Sequence, residues 1–290
     1  MLQNVVEAIE QWIHEMLEGF VLSNMETMYS DVNDKVTTIA AEVGKSPQNW
    51  NGAIFDLIRK LSDSVMMPIA GVIITYVLCY ELITMIIDKN TMHDIDTWMC
   101  FKFVFKAAIA VYLVSHTMDI TLAIFELGKH AATSASGVIT KTADIDVKEL
   151  TQKMSEQMKD MAIGELFTLV LETAFLSLGM KIISIVITVT LYIRMVEIFL
   201  YISVAPIPFA TLSNREWGHV GNNYIRGLLA MAFQAFFIMV CIGIYAILVA
   251  NIQSSENIHS AVFSIAAYAV LLCLSLMRMD HFSRSVFGAH

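Results

Sequence analysis

Several ionisable side chains lie within or beside long apolar stretches of this 290-residue sequence, and seven of them are candidate site residues. These seven are Glu81, His116, Asp119, Glu172, Lys181, Arg194 and Glu197. If these stretches cross a membrane, each charge is costly in the bilayer, and such groups commonly mark functional sites. We expect them to line a translocation path or to form subunit contacts. The alternative is that they pair with one another and only hold helices together.

Helical spacing arranges these side chains into faces. At about 100° per residue, one arc of the third apolar stretch carries Glu165, Glu172, Thr190, Arg194, Glu197 and Tyr201. A second stripe of the same stretch carries Ser177, Lys181, Ser184 and Thr188. Two further faces carry Tyr112, His116 and Asp119, and Glu81, Thr84 and Asp88. Since Arg194 and Glu197 are three residues apart, we expect them to pair within the helix.

Two short motifs raise the question of a metal site. His116-x-x-Asp119 and His93-x-x-Asp96 each place two possible ligands on one helical face. Two ligands are too few for a protein metal site, so no metal is expected. The sequence also has no phosphate-binding glycine loop, zinc-protease motif or serine-hydrolase motif, so we expect no enzymatic activity and no cofactor.

Five apolar stretches must position these charges. They are Val65–Ile87, Phe103–Phe125, Ile182–Val204, Gly227–Val249 and Ala261–Met277. Charged residues make up 16% of the chain, against about 25% in soluble proteins, and the mean hydropathy is +0.63. Each stretch has about the length that a membrane-spanning helix needs. The sequence therefore predicts an all-α, polytopic membrane protein and excludes a water-soluble enzyme or a disordered chain.

The number of spans depends on the apolar stretch Leu166–Leu212. Two crossings would need a hairpin near Gly179–Lys181, which leaves Leu166–Leu178 about 20 Å long at the rise of an α-helix. That is too short for a bilayer, so we expect one long helix and five spans, with six as the alternative.

The remaining segments are predicted to lie outside the membrane. Residues 1–64 form an amphipathic helical region, with an amphipathic helix at Met1–Phe20 that binds either lipid or protein and a break at Gly44–Pro47. Residues 65–125 contain spans one and two. Residues 126–165 form a loop with an amphipathic helix at Asp146–Met161, and residues 166–290 contain spans three to five and a short tail.

Charge also bears on topology and on partners. Arginines follow the third span and the fifth span, whereas the loop Ala250–Ile258 has no Lys or Arg. The positive-inside bias therefore predicts an outer N-terminus and a cytoplasmic C-terminus. The net charge of −9 disfavours tight, sequence-independent nucleic-acid binding, although it permits a polyanion to pass through a channel.

The most distinctive local feature is the end of the third span, Ala205–Pro206–Ile207–Pro208, followed by Arg215 and Trp217. Each proline removes a backbone donor and disfavours helix just upstream. Carbonyls freed at membrane depth must bond to protein or water, so we expect this segment to be buried or to line a cavity. Arg215 and Trp217 would anchor the segment at the membrane interface. The alternative is a simple helix terminator.

Ala205, Pro206, Arg215 and Trp217, within this order of spans, resemble the TrbL-type inner-membrane component of type IV secretion (conjugation) systems. The resemblance implies a multi-pass protein of the bacterial inner membrane that forms part of a secretion channel as a homo-oligomeric ring. It further implies partnership with other secretion subunits and with ATPases that supply the energy, and transient contact with the transferred DNA or protein. Pro208 and the acidic N-terminal region depart from the family pattern.

Other functions remain open from the residues alone. Glu81, His116, Asp119 and Arg194 could couple protons to a solute, as in a secondary transporter or a small-solute channel. Transporters commonly show inverted repeats and paired interrupted helices, and neither is found in this sequence. A membrane-embedded hydrolase is the least supported, because no nucleophile with a base is found.

Overall fold

The computed structural model describes residues 2–87, 97–139, 147–254 and 258–289. Within these ranges all regular elements are helical. The α-helices are α1 (Leu2–Val43), α2 (Pro47–Trp50), α3 (Gly52–Leu61), α4 (Met67–Ile87), α5 (Thr97–Ser115), α6 (Thr117–Ile139), α7 (Val147–Met158), α8 (Ile163–Val204), α9 (Pro206–Thr211), α10 (Gly218–Ala250) and α11 (Ile258–Phe287).

Five helices in the described ranges are long and apolar enough to cross a membrane. They are Gly52–Ile87, in which a π-helical turn joins α3 to α4, and α5, α8, α10 and α11. The predicted all-α, multi-pass protein is therefore confirmed. The 42 residues of α8 form one uninterrupted helix, as predicted, with no hairpin at Gly179–Lys181.

The second span differs from the predicted helix Phe103–Phe125. The helix ends at Ser115 and restarts at Thr117, with His116 in a turn between them. The Thr117 hydroxyl donates to the carbonyls of Leu113 at 3.1 Å and Val114 at 2.7 Å. Hydroxyl groups that bond back to the preceding turn bend helices, and this bond explains the interruption.

The N-terminal helix is longer than the predicted Met1–Phe20, because α1 continues to Val43. The break at Gly44–Pro47 is present, and Pro47 occupies the first position of α2. The side chain of Ser46 makes no capping bond, although its carbonyl accepts from the backbone amides of Asn49 and Trp50 at 3.0 Å.

A second cap in this region was not predicted. The side chain of Asn51 accepts a hydrogen bond from the amide of Ile54 at 3.1 Å and begins α3. Asparagine is among the preferred N-cap residues because its short side chain reaches an unpaired amide of the first turn. The cap therefore separates the four-residue α2 from the helix that leads into the first span.

The chain forms two compact units. Unit 1 comprises Met1–Val43, Thr133–Leu191 and Ile238–Arg278, and unit 2 comprises Gly44–Ala132, Tyr192–Phe237 and Met279–His290. The proposed division of the chain at residues 64, 125 and 165 follows expected membrane boundaries and stays a prediction.

In unit 1, α1 packs against α7 and bonds along the first half of α8. Asn24 donates to the hydroxyl of Thr173 at 3.2 Å, and Lys35 donates to the carbonyl of Met180 at 3.5 Å. Burial lowers the pKa of the Lys35 ammonium, while the nearby Asp31 carboxylate opposes this shift. Unit 1 thus holds α1 through polar bonds as well as apolar packing.

In unit 2, the short helix α9 packs against α4 and α5. Phe209 and Ala210 are buried in a cluster with apolar residues of these two spans, including Ala70, Ile74 and Ala110. Close packing of these buried side chains fixes the position of α9 against the two spans. The proline-containing corner is therefore part of the core of this unit.

Burial differs sharply among the five spans. In the most apolar 18-residue window, 56% of residues are buried in α10 and 39% in α11, against 22% in Gly52–Ile87, 17% in α8 and 11% in α5. The apolar stretches of α10 and α11 contain no formal charge. The two charge-free spans are therefore the most buried of the five, and the three charge-bearing spans leave most of their surface open.

One glycine permits a close helix contact in unit 2. A Cβ atom at Gly128 of α6 would overlap the backbone of Ala232 of α10. Small residues allow transmembrane helices to approach each other closely. In contrast, a Cβ at Gly137, on the same helix, would meet no atom within 4 Å.

We predict that Gly128→Ala destabilises the folded protein by about 1–3 kcal/mol, because a methyl group must push two backbones apart. Gly137→Ala is the matched control and should be neutral or slightly stabilising, since alanine is the better helix former. Thermal unfolding in mild detergent would measure the difference. Equal unfolding temperatures for the two variants would contradict the close contact.

Candidate functional site

The C-terminal end of α8 is interrupted by the missing amide of Pro206. Since Pro206 cannot donate to Ile202, the amide of Ala205 bonds to the Ile202 carbonyl instead, at 3.4 Å. The carbonyl of Tyr201 thereby loses its helical donor. The chain stays near helical dihedral angles at Ala205 and enters α9 with Pro206 at its start.

Side-chain hydroxyls replace the missing donors at this corner. The hydroxyl of Tyr224, on α10, donates to the carbonyl of Tyr201 at 2.6 Å. The hydroxyl of Thr211 donates to the carbonyl of Pro208 at 2.8 Å. Both hydroxyls belong to residues that are buried. The sequence led us to expect that carbonyls freed by the prolines would bond to protein or water, and these two carbonyls bond to protein side chains.

The turn between α9 and α10 is closed by a buried asparagine. The Oδ1 atom of Asn214 accepts from the amides of Glu216 at 2.7 Å and Trp217 at 2.9 Å. A Cβ at Gly221 would lie 2.6 Å from the Pro208 carbonyl oxygen, so only glycine lets the first turns of α10 approach the corner. Asn214 and Gly221 were not predicted as important from the sequence, because an asparagine in a turn and a glycine near a helix start are both common.

The family-motif residues Arg215 and Trp217 lie on the exposed side of this turn. The Trp217 ring stacks on Tyr76 of α4, with centroids 5.4 Å apart and planes at 19°. Beside it, the Tyr80 hydroxyl donates to a carboxylate oxygen of Glu216 at 2.9 Å. The turn is thus tied to the first span by aromatic and polar contacts, in the manner of an interfacial anchor.

Tyr201 connects three helices of unit 2. Its hydroxyl accepts from Nη1 of Arg284 at 2.9 Å, and its ring stacks on that of Tyr224 with centroids 5.5 Å apart. Arg284 in turn donates from Nε to both carboxylate oxygens of Asp280 at 2.9 Å. The sequence placed Tyr201 on the polar arc, but Tyr224 and Asp280 were missed because they lie on other helices.

Arg194 lies one to two turns deeper on the same helix and is only 7% exposed. Its Nη2 donates to the carbonyl of Met231 on α10 at 3.5 Å, and its Nε has no partner among the described residues. The carboxylate of Glu197 attracts it electrostatically. The hydrogen bond of Arg194 thus crosses to the neighbouring helix, and its pairing with Glu197 stays a prediction.

A second buried polar group, Gln234, lies one turn beyond Met231 on α10. Gln234 follows Met231 by three residues on α10, so its side chain starts near the same carbonyl. Gln234 is 5% exposed, and no described group bonds to its Oε1 atom. The interior of unit 2 thus holds a donor and an acceptor whose hydrogen-bonding capacity is incomplete, which is costly in an apolar environment.

Glu81 is buried and forms an ion pair with Lys106, which joins α4 to α5. The sequence pointed to Glu81 but did not predict this partner. Nδ1 of His116 donates to the carbonyl oxygen of Tyr112 at 3.0 Å, and the imidazole stacks on the Tyr112 ring with centroids 4.2 Å apart. Asp119 is exposed. The contact of Glu81 therefore agrees with the alternative given above, in which the charges pair with one another and hold helices together.

Two predicted site residues belong to unit 1. A carboxylate oxygen of Glu172 lies 2.6 Å from Nδ1 of His259, which joins α8 to α11. Lys181 is exposed and directly follows Met180, whose carbonyl accepts a hydrogen bond from Lys35. The structure thus distributes the seven residues over several separate contacts.

No group of three or more His, Cys, Asp or Glu side chains within the described ranges is arranged to hold a metal. His93, Asp96 and Asp88, which entered the sequence analysis, lie outside those ranges. The chemistry that the described side chains support is hydrogen bonding and charge pairing inside a membrane bundle.

We predict that Tyr224→Phe destabilises the protein by about 1–3 kcal/mol, because it leaves the Tyr201 carbonyl without its donor. Tyr245→Phe is the matched control: Tyr245 lies on the same helix, fully buried, and its hydroxyl has no partner among the described residues. We expect that control to be neutral or stabilising. Denaturant unfolding in detergent measures both, and a greater loss in Tyr245→Phe would contradict the role of the hydroxyl.

Comparison with known proteins supplies a family. Residues 32–206 match the family described as TrbL/VirB6 plasmid conjugal transfer like protein. The matched range covers α8 and ends at Pro206, so it includes Ala205 but not Arg215 and Trp217. No curated protein and no solved structure matches the chain. Because the match covers more than half of the sequence, the chain belongs to the TrbL/VirB6 plasmid conjugal transfer family and is a multi-pass membrane component of conjugal transfer.

Proposed function

We propose that this chain is a non-enzymatic, channel-forming subunit in the inner-membrane part of a type IV secretion machine. It would help DNA–protein substrates to cross the membrane. The observation that carries the proposal is the family match over residues 32–206, which includes three of the five candidate spans. Family membership suggests other conjugation subunits as partners.

We assign the wall of the translocation path, or the contact between subunits, to α8 and its exit. This helix carries Glu172, Lys181, Arg194 and Glu197, more of the predicted site residues than any other described helix. Polar groups inside a membrane are retained where they face a water-filled path or a partner. The exposed Lys181 and the incompletely bonded Arg194 support this assignment.

A homo-oligomeric ring accounts for the unequal burial of the spans. The three charge-bearing spans bury little of their surface within one subunit, whereas α10 and α11 are more buried. Lipid can cover apolar side chains, but a charged side chain that faces lipid is energetically costly. We therefore propose that copies of the chain meet through Gly52–Ile87, α5 or α8.

The proposed orientation has the N-terminus outside and the C-terminus in the cytoplasm. Arg215, Arg226, Arg278 and Arg284 follow or flank the third and fifth spans, and arginine is enriched on the cytoplasmic side. Energy for transfer would come from partner ATPases at that side. The net charge of −9 would let a DNA polyanion pass without being held.

Arg194→Leu should lower conjugal transfer while the protein still accumulates in the membrane. Removing one charge from a buried pair can also destabilise a protein, so the loss reports on transfer only when the variant and the wild type accumulate in the membrane to the same level. The loss of one interaction worth ~1.4 kcal/mol lowers an equilibrium constant about tenfold. We therefore expect the mating frequency to fall at least that much. Pro206→Ala, which restores a backbone donor and straightens the exit, should have the same effect.

Leu274→Ala is the control for this assay, because Leu274 is 56% exposed and lies on α11, outside the helices assigned to the path and the subunit contacts. It should transfer normally. Membrane fractions probed for each variant would show equal amounts of protein. Wild-type mating frequency in both Arg194→Leu and Pro206→Ala would refute a role of α8 in the path.

The oligomer and its partners are tested by purification. In mild detergent, we expect the chain to run as a complex of several copies that carries other channel subunits and a secretion ATPase. Mass measurement and identification of the co-purified proteins would check this. A lone monomer that takes up a labelled solute when reconstituted alone in liposomes would instead support the secondary transporter.

A further inference from the structure

A cavity lies where α10 begins and α11 ends, within unit 2. Its volume is about 590 Å³, and its lining residues are His219, Val220, Asn222, Asn223, Arg226 and Gly288. This volume falls in the range of about 300–1,000 Å³ that is typical of small-molecule sites. None of the seven intramembrane site residues contributes to it.

The lining suits a phosphate group. Arg226 supplies a fixed positive charge and a planar set of donors, the geometry that best matches phosphate oxygens. Its Nη1 donates to the carbonyl of Gly288 at 3.4 Å, which holds the guanidinium at the cavity while the residue stays exposed. The side chains of Asn222 and His219 add neutral or cationic hydrogen-bonding groups. Among the described residues, no Asp or Glu lines the cavity.

The depth of the cavity in the membrane identifies the source of the phosphate. Arg226 is the last charged residue before the apolar stretch Gly227–Val249, and Trp217, an interfacial residue type, precedes α10 directly. The cavity therefore lies at the level of lipid head groups. Val220 lines it and is 43% exposed, and Val286, near the end of α11, is 54% exposed. These apolar surfaces are available to an acyl chain.

We propose that this cavity binds the head-group phosphate of an anionic phospholipid. Basic pockets between transmembrane helices at the membrane surface bind such head groups. The bound lipid would fill the gap between the first turns of α10 and the end of α11. It would thus tie the C-terminal helix to the corner that follows the third span.

The full chain in mild detergent would be incubated with phosphatidylglycerol and, separately, with diacylglycerol, which has the same chains but no phosphate. Native mass spectrometry counts the lipid that each protein retains. We expect phosphatidylglycerol to be retained and diacylglycerol to be lost. Equal retention of both would overturn the proposal, because the phosphate would then contribute nothing.

Two variants test the cavity itself. Asn222→Asp places a negative charge in it without touching the Arg226–Gly288 bond, and charge repulsion should weaken phosphatidylglycerol binding about tenfold. Arg226→Ala should weaken it at least as much. The matched controls are Asn251→Asp, just beyond the other end of α10, and Arg278→Ala, an exposed arginine of α11. Both should retain the lipid as the wild type does.

Unchanged retention in Asn222→Asp and Arg226→Ala would overturn the assignment. So would equal losses in the two control variants. A final arm uses inorganic phosphate and follows the unfolding temperature. If phosphate alone raised that temperature as much as phosphatidylglycerol, the lipid would be the wrong source. A rise with the lipid only supports the head-group site.

Discussion

Polar groups inside this bundle must find their partners within the protein, because lipid offers none. At the end of α8, two prolines withdraw backbone donors from a segment that is buried in the core of its unit. Hydroxyls of Tyr224 and Thr211 restore the bonds, and Asn214 closes the following turn. The path of the chain from α8 through α9 into α10 follows from these few hydrogen bonds together with the close approach at Gly221.

The same constraint explains the placement of charge. Glu81 pairs with Lys106, Glu172 with His259, and Arg284 with Asp280 and Tyr201. Such pairs neutralise groups that would be costly alone. Arg194 differs, because its described bonds leave Nε unused in a nearly inaccessible position. A group that the fold satisfies incompletely is a better functional candidate than one that is fully paired.

Much of the fold could be predicted because apolar length and helix-breaking residues are local signals. The length argument at Leu166–Leu212 correctly predicted one helix, Pro47 marked a helix start, and Pro206 marked the end of the third span. Partners on other helices were not predictable, since spacing rules compare only residues on one helix. Lys106 lies 25 residues from Glu81, and Met231 offers a backbone carbonyl with no sequence signal. The interruption at His116 was missed because Thr117 acts through a hydroxyl bond to its own helix.

The hydrogen bond from the Tyr224 hydroxyl to the Tyr201 carbonyl makes the residue type at position 224 depend on the residue type at position 206. The hydroxyl is needed only because Pro206 displaces the amide of Ala205. In family members with another residue at position 206, α8 would satisfy that carbonyl by itself, and phenylalanine at position 224 would become acceptable. Evolutionary change at these two positions should therefore be correlated, although their side chains need not touch.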